Sequence, residues 1–221
     1  TLTGGTFPAG LAAHLERMYV ERGVEVLGGA RVASGTSGPD GVTVVLEDGR
    51  ELAADAVVVG AGLEIETDLA RSAGLDVDDG IVVDDRLRTS DPSVYAAGDV
   101  AQYPDRILGR RRVEHVDNAT TMGRQAGRNL AGADEPYDHT PFFYSDLFDA
   151  GYEAVGRLDS SLETVEDWHV EPYDTGVVYY LDGGRVAGVL LWNVWDATDR
   201  AREVIAHQTD VRPEALRGLI G

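Results

Sequence analysis

Val94-Tyr95-Ala96-Ala97-Gly98-Asp99-Val100-Ala101 is the stretch around which the chain is organised. Four residues suited to a short buried strand end at a Gly-Asp pair and run on into chain that can turn. The pattern sets a carboxylate at the carboxyl end of a strand, where open α/β sheets bind their ligands. Gly98 has no Cβ, so a ligand can approach the backbone closely, and Asp99 can accept hydrogen bonds from hydroxyls. A sugar or polyol suits this pair; a phosphate does not. The bland alternative is a strand that ends in a Gly-Asp turn.

Upstream, Ala56-Val57-Val58-Val59 reads as a fully buried strand of a parallel sheet covered on both faces. It ends at Gly60-Ala61-Gly62, again at a strand's carboxyl end, and a short helix over Thr67 to Ala73 stops at Gly74. The glycines do not make a dinucleotide fingerprint, and no complete GxGxxG occurs anywhere in the 221 residues. Nearer the start, Leu11, Leu15 and Met18 keep helical spacing up to Gly23. Val24 to Leu27 reads as a strand, followed by short strands near Arg31–Ala33, Val42–Leu46 and Arg50–Leu52, with Glu47-Asp48-Gly49 as a hairpin turn.

Downstream, Gln102 to Gly109 is a polar connection leading to Arg110-Arg111-Arg112-Val113-Glu114-His115. Val116, Ala119, Met122, Ala126 and Leu130 repeat at helical spacing, predicting a helix over about 118–130 capped by Asp117 or Asn118. Its positive end can support negative charge on a ligand, with Glu114 and His115 just before it. The alternatives are a solvated basic turn for the arginines and a structural role for His115. The Ala, Gly and Pro content of residues 131–138 marks a linker. Five β runs then follow over 142–147, 152–158, 164–170, 176–181 and 186–192, with Asp182-Gly183-Gly184 as a hairpin. A helix over 198–207 closes the pattern. The fold class expected is α/β followed by α+β, with a mainly antiparallel carboxyl-terminal sheet.

Composition excludes several functions. There is no cysteine, hence no disulfide, thiolate metal site or dithiol relay. Five histidines without metal-ligand spacing predict no metal. The net charge of −20, from 39 acidic and 19 basic residues, argues against nucleic acid as a partner. No apolar run is long enough for a membrane span, and a cytoplasmic location is expected. Every basic residue is arginine. Acid-rich, lysine-free composition suggests a halophile, where salt screens self-repulsion, although a GC-rich genome also favours arginine.

Five segments in order carry a resemblance: Val59-Gly60-Ala61-Gly62-Leu63-Glu64, Tyr95-Ala96-Ala97-Gly98-Asp99, Gly109-Arg110-Arg111-Arg112-Val113-Glu114-His115, Phe143-Tyr144-Ser145-Asp146-Leu147 with Gly151 to Gly156, and Gly188-Val189-Leu190-Leu191-Trp192-Asn193. From about Val24 to Ile205 the chain resembles the FAD-dependent pyridine nucleotide-disulfide oxidoreductases, most closely their apoptosis-inducing-factor-like and ferredoxin-reductase-like branch. The resemblance implies partial FAD- and NAD(P)-binding three-layer domains followed by an interface domain. Residues 1–62 would be the second half of the NAD(P) domain, 63–132 the segment returning to the FAD domain, and 133–221 the carboxyl-terminal interface domain. The chain then corresponds to a carboxyl-terminal portion of a larger flavoprotein.

The resemblance also implies roles by position. Asp99 and Gly98 would meet the ribityl chain of FAD, and His115 and Val116 its ring. Gly62, Glu114, His115, Tyr144, Glu153 and Asp196 would meet NAD(H) or NADP(H). Tyr144 stands where an apoptosis-inducing factor has tryptophan, Val116 replaces a histidine, and a long insertion between Glu163 and Asp174 is missing. Implied is hydride transfer from NAD(P)H to FAD. Electrons would pass on to a ferredoxin-like redox carrier, a quinone or oxygen. No residue is singled out as a catalytic acid, base or nucleophile. The alternative is a non-catalytic interface or dimerisation fragment, unable to bind FAD by itself, in which Trp192, Trp195 and Tyr179 serve packing or a homodimer.

Overall fold

A computed structural model describes residues 2–3, 5–39, 41–207 and 212–220. The chain divides into two compact units, one of residues 1–4 and 8–64, the other of residues 5–7 and 65–221.

The smaller unit holds helix α1 (Ala9–Glu21) and a three-stranded antiparallel meander of β1 (Val32–Gly38), β2 (Gly41–Leu46) and β3 (Glu51–Ala54). α1 buries Leu11, Ala12, Leu15 and Met18, the i, i+4, i+7 stripe its sequence predicts. The Glu47-Asp48-Gly49 turn joins β2 to β3, and Asp48 fixes it by accepting from the Arg50 backbone at 3.1 Å and Nε at 2.8 Å. Two expectations fail here. Val24 to Leu27 forms no strand. Ala56 to Val59 is neither a strand nor buried: Val58 is 96% and Val59 80% exposed. A doubly covered parallel strand needs neighbours on both edges, and among the described residues of this unit the only sheet is the antiparallel meander.

The larger unit begins with the short helix α2 (Asp68–Ser72), close to its predicted span. A small sheet follows, of β4 (Ile81–Val82), β5 (Ala101–Asp105) and β6 (Gly109–Arg111) in that order. β4 and β5 are parallel, with Ile81 opposite Ala101; β5 and β6 form a hairpin. This hairpin occupies what the sequence presents as a polar connection. Asp105 makes the turn, accepting from the backbone of Ile107 at 2.9 Å and Leu108 at 3.0 Å. Tyr95 forms only an isolated bridge to Arg88, so the stretch up to Ala97 is extended chain and not a strand in a sheet. Helix α3 (Val116–Leu130) packs Met122 and Ala126 into a core with Val83, Leu87, Tyr103 and Tyr137.

Residues 131–138 run as a fastened strap. The Asn129 side chain donates to the carbonyls of Arg86 and Glu135 and accepts the Glu135 N–H at 3.0 Å. Tyr137 is buried, its backbone donates to Asp85 O at 2.7 Å, and its hydroxyl donates to Asn118 at 3.0 Å.

The five predicted β runs form one antiparallel sheet: β7 (Phe142–Leu147), β8 (Ala150–Gly156), β9 (Glu163–Trp168), β10 (Gly176–Asp182) and β11 (Arg185–Trp192), in the order β7-β8-β11-β10-β9. Helix α4 (Thr198–His207) lays Ala201, Val204 and Ile205 on one face, over Val155, Tyr179, Val189 and Leu191. On the other face Phe7 meets the rings of Tyr152 at 5.2 Å and Trp192 at 6.3 Å, and Tyr180 donates to Thr6 O at 3.0 Å. With both faces covered, Gly176 to Leu181 is buried throughout, which explains its unbroken apolar run.

Candidate functional site

The site is built where the tip at Gly98 meets the start of α3. Gly98 takes φ +78, a left-handed value that glycine adopts without strain, and its N–H points at the Met122 sulfur, 3.3 Å away. Its Cα side faces Ala119 on the first turn of the helix; a Cβ there would lie 3.5 Å from Ala119 Cβ. Asp99 is therefore carried to the amino end of α3 and sits in a single 3-10 turn, Gly98–Val100, before β5. Its carbonyl accepts from Arg112 Nη1 at 3.1 Å. Its half-buried carboxylate has no hydrogen bond or ion pair among the described residues. A carboxylate so placed has its acceptor capacity open to hydroxyls of a ligand.

The helix starts two residues earlier than the sequence suggests, at Val116 and not at 118. His115 is its cap: extended at φ −160, ψ 148, it takes the Asp117 N–H on Nδ1 at 3.3 Å. Asp117 and Asn118, expected as caps, have other work. The Asp117 carboxylate accepts the Phe142 N–H at 3.2 Å and lies 2.6 Å from His139 Nε2. Buried Asn118 donates to Val113 O at 3.0 Å. Together they moor the helix start to β7. The His115 ring consequently stands among Phe142, Phe143 and Tyr144, with centroids 6.3, 6.4 and 5.6 Å away. Val116, just inside the helix, is 60% exposed.

β7 then supplies the outer wall. Tyr144 is half exposed, stacked on Phe142 at 6.2 Å, and directly opposite Glu153 of β8. Glu153 has one carboxylate oxygen buried without a partner, and its backbone neighbour across the sheet is Leu191. Burial first, then the Asp196 carboxylate, push the Glu153 pKa up; the Asp196 N–H and Arg202 oppose the shift. Asp196 itself is exposed, at φ +59. Glu114, exposed, pairs with Arg112 at 2.6 Å.

Of the residues singled out in the sequence, Gly98, Asp99, His115 and Val116 thus gather at the α3 start, and Glu114, Tyr144, Glu153 and Asp196 lie along the same run of contacts. Gly62, at φ +87, belongs to the smaller unit. The arginines are not a solvated turn. Arg110 donates to Val83 O and Gln102 O, both at 3.0 Å, and Arg112 reaches Asp79 O at 2.7 Å as well as Asp99 O. These two hold the site's backbone, a role that strand alternation through 110 and 112 could have signalled. His139, one of the five histidines without metal-ligand spacing, pairs with Asp117, a partner that nothing in its local sequence signals.

Comparison with known proteins agrees with this architecture. Residues 1–123 match the family described as "Pyridine nucleotide-disulphide oxidoreductase", and residues 126–172 and 166–207 match "Apoptosis-inducing factor, mitochondrion-associated, C-term". The chain is 37% identical over 216 residues to "Apoptosis-inducing factor 1, mitochondrial" of Dictyostelium discoideum, covering 90% of this chain and 40% of that protein. It is 33% identical over 210 residues to putidaredoxin reductase of Pseudomonas putida, covering 93% and 50%. Superposed on the covalent putidaredoxin reductase–putidaredoxin complex, 96% of this chain and 51% of that one give a TM-score of 0.82 at 32% identity. The chain spans two-fifths to half the length of these relatives.

Proposed function

Because the chain belongs to the pyridine nucleotide-disulphide oxidoreductase family, we propose that it is part of a flavoprotein moving a hydride from NADH or NADPH to FAD and electrons onward to a carrier. The observation that carries this reading is the unpaired Asp99 carboxylate, set beside Gly98 against the first turn of α3. Those residues fit the polyol of a flavin: an open acceptor, a backbone without Cβ, and a helix end that favours negative charge. When bound, FAD supplies the hydride-accepting chemistry; the protein binds and orients it.

Each residue then has a task. Asp99 and Gly98 would hold the ribityl chain, Val116 and the His115 cap would border the ring, and the positive helix end would favour negative charge there. Within the larger unit, Tyr144 offers a stacking surface for the nicotinamide nucleotide, with Glu114, His115, Glu153 and Asp196 along the same run of contacts. Residues 1–62, 63–132 and 133–221 take the NAD(P), FAD and interface parts respectively. Putidaredoxin reductase supports a ferredoxin-like partner. The protein works in a salt-rich cytoplasm and pairs as a homodimer through the carboxyl-terminal sheet.

The lack of any GxGxxG stretch favours a second reading of this chain by itself, a non-catalytic interface module. Titrating FAD into the purified chain and following visible absorbance separates the two. Saturable binding, weakened about tenfold by Asp99→Ala through loss of a charge-assisted hydrogen bond, supports the first. A chain that stays colourless once unbound FAD is removed supports the second, and equal retention of FAD by Asp99→Ala refutes the role given to Asp99.

A further inference from the structure

A cavity of about 760 Å³ opens in the larger unit, at the end of the five-stranded sheet where β8 leaves it and the β10–β11 hairpin turns. One part of its wall is apolar, from Ile107 and Leu108 of the β5–β6 turn, Phe143, Leu158, Val186 and Ile205, and the rest is polar. Its charged groups are Arg111, Arg157 and Arg185 against the single carboxylate of Asp182. Three cations and one anion leave two positive charges around one concavity, in a chain whose net charge is −20.

The imbalance is local. Several guanidinium groups elsewhere in the unit are matched by carboxylates, as Arg88 is by Asp84, Arg112 by Glu114 and Arg202 by Asp199, whereas Arg110 is held by carbonyls. Within the cavity Arg157 is bonded to Asp182 at 2.6 Å. The Arg111 and Arg185 side chains make no hydrogen bond or ion pair among the described residues. Gathering unpaired guanidinium groups costs self-repulsion, which a bound anion offsets. Guanidinium forks suit carboxylate and phosphate oxygens, and the apolar walls suit the body of the same molecule. The volume lies within the range of small-molecule sites, roughly 300–1,000 Å³.

We propose that this cavity binds a small organic anion, a carboxylate or phosphate head on an apolar body. Its charged groups are none of those at the Asp99 site, although Phe143 borders both the cavity and His115. Arg111 and Arg112 are successive residues of extended chain and project to opposite sides; Arg112 reaches Asp99 O and Arg111 the cavity. The proposal does not depend on the flavin reading.

Calorimetric titration of the purified chain tests it, with phenyl phosphate and phenylacetate as probes, inorganic phosphate as the head alone and benzyl alcohol as the body alone. One or both probes should bind saturably, at least about tenfold tighter than either half. Whichever binds tighter identifies the head. Arg185→Ala, on an exposed hairpin, should weaken binding about tenfold, while Asp182→Asn tightens it and added salt weakens it. Thermal unfolding confirms that each variant is folded. The proposal is overturned if neither probe saturates, if inorganic phosphate binds as tightly as phenyl phosphate, or if folded Arg185→Ala binds like the parent.

Discussion

Asp117→Ala tests the joint between α3 and the sheet. In the parent the carboxylate accepts the Phe142 N–H at 3.2 Å and meets His139 Nε2 at 2.6 Å, with side-chain exposures of 19% for Asp117 and 26% for His139. Removing it leaves two mostly buried donors without their acceptor and takes a negative charge from the first turn of the helix. A hydrogen bond to a charged group is worth about 1.5–3 kcal/mol, and a charge at a helix start about 0.3–1 kcal/mol. The expected loss is about 2–4 kcal/mol. Asp117→Asn keeps an oxygen for Phe142 and gives up the charge, so it should lose about half as much. Urea unfolding followed by tryptophan fluorescence reads this directly, since Trp168, Trp192 and Trp195 all belong to the larger unit. An Ala variant within about 0.5 kcal/mol of the parent, or an Asn variant no better than Ala, would refute the mooring role.

Glu153→Gln should stabilise the chain near neutral pH. Burial raises the folded-state pKa of Glu153 above its ordinary value of 4.5, so the folded state resists ionisation and loses stability as pH rises from that value through the folded one. Unfolding midpoints of parent and variant should therefore differ at pH 7 and converge below about pH 4; a constant gap would count against the assignment. Two glycines should respond in opposite ways. Around Gly123, mid-helix in α3, nothing lies within 4 Å of an added Cβ, and Gly123→Ala should gain about 0.5–1 kcal/mol. At Gly188 a Cβ would come 2.2 Å from Arg157 O, and Gly188→Ala should cost about 1–3 kcal/mol or more, read by the same denaturation.

Much of this was legible in the chain because it is local. The five strands of the last sheet announced themselves by β-branched and aromatic runs between turn residues, and α3 by its apolar spacing. Where the reading failed, the deciding fact was distant. An apolar run at 56–59 looks buried only if neighbouring strands are assumed, and its length says nothing about them. Asp117 and Asn118 are the better caps by propensity, yet partners 22 residues away at His139 and 19 away at Tyr137 claim their side chains. Phe7 packing on Tyr152 and Trp192 is likewise beyond any local rule. The candidate site divides in the same way: Gly98 and Asp99 stand out in a pattern, whereas the structural hold of Arg110 and Arg112 on carbonyls depends on where other segments pass.

The strap at 131–138 has a practical outcome. Its Ala, Gly and Pro content marks it as the place to cut the chain or to let it bend, yet Asn129 and Tyr137 bind it down along its length. Limited proteolysis should spare it, and truncation there would tear out a core tyrosine. Asp117 also ties the start of α3 to the sheet beyond the strap through Phe142 and His139, so the two sides are joined by contacts that bypass the strap itself.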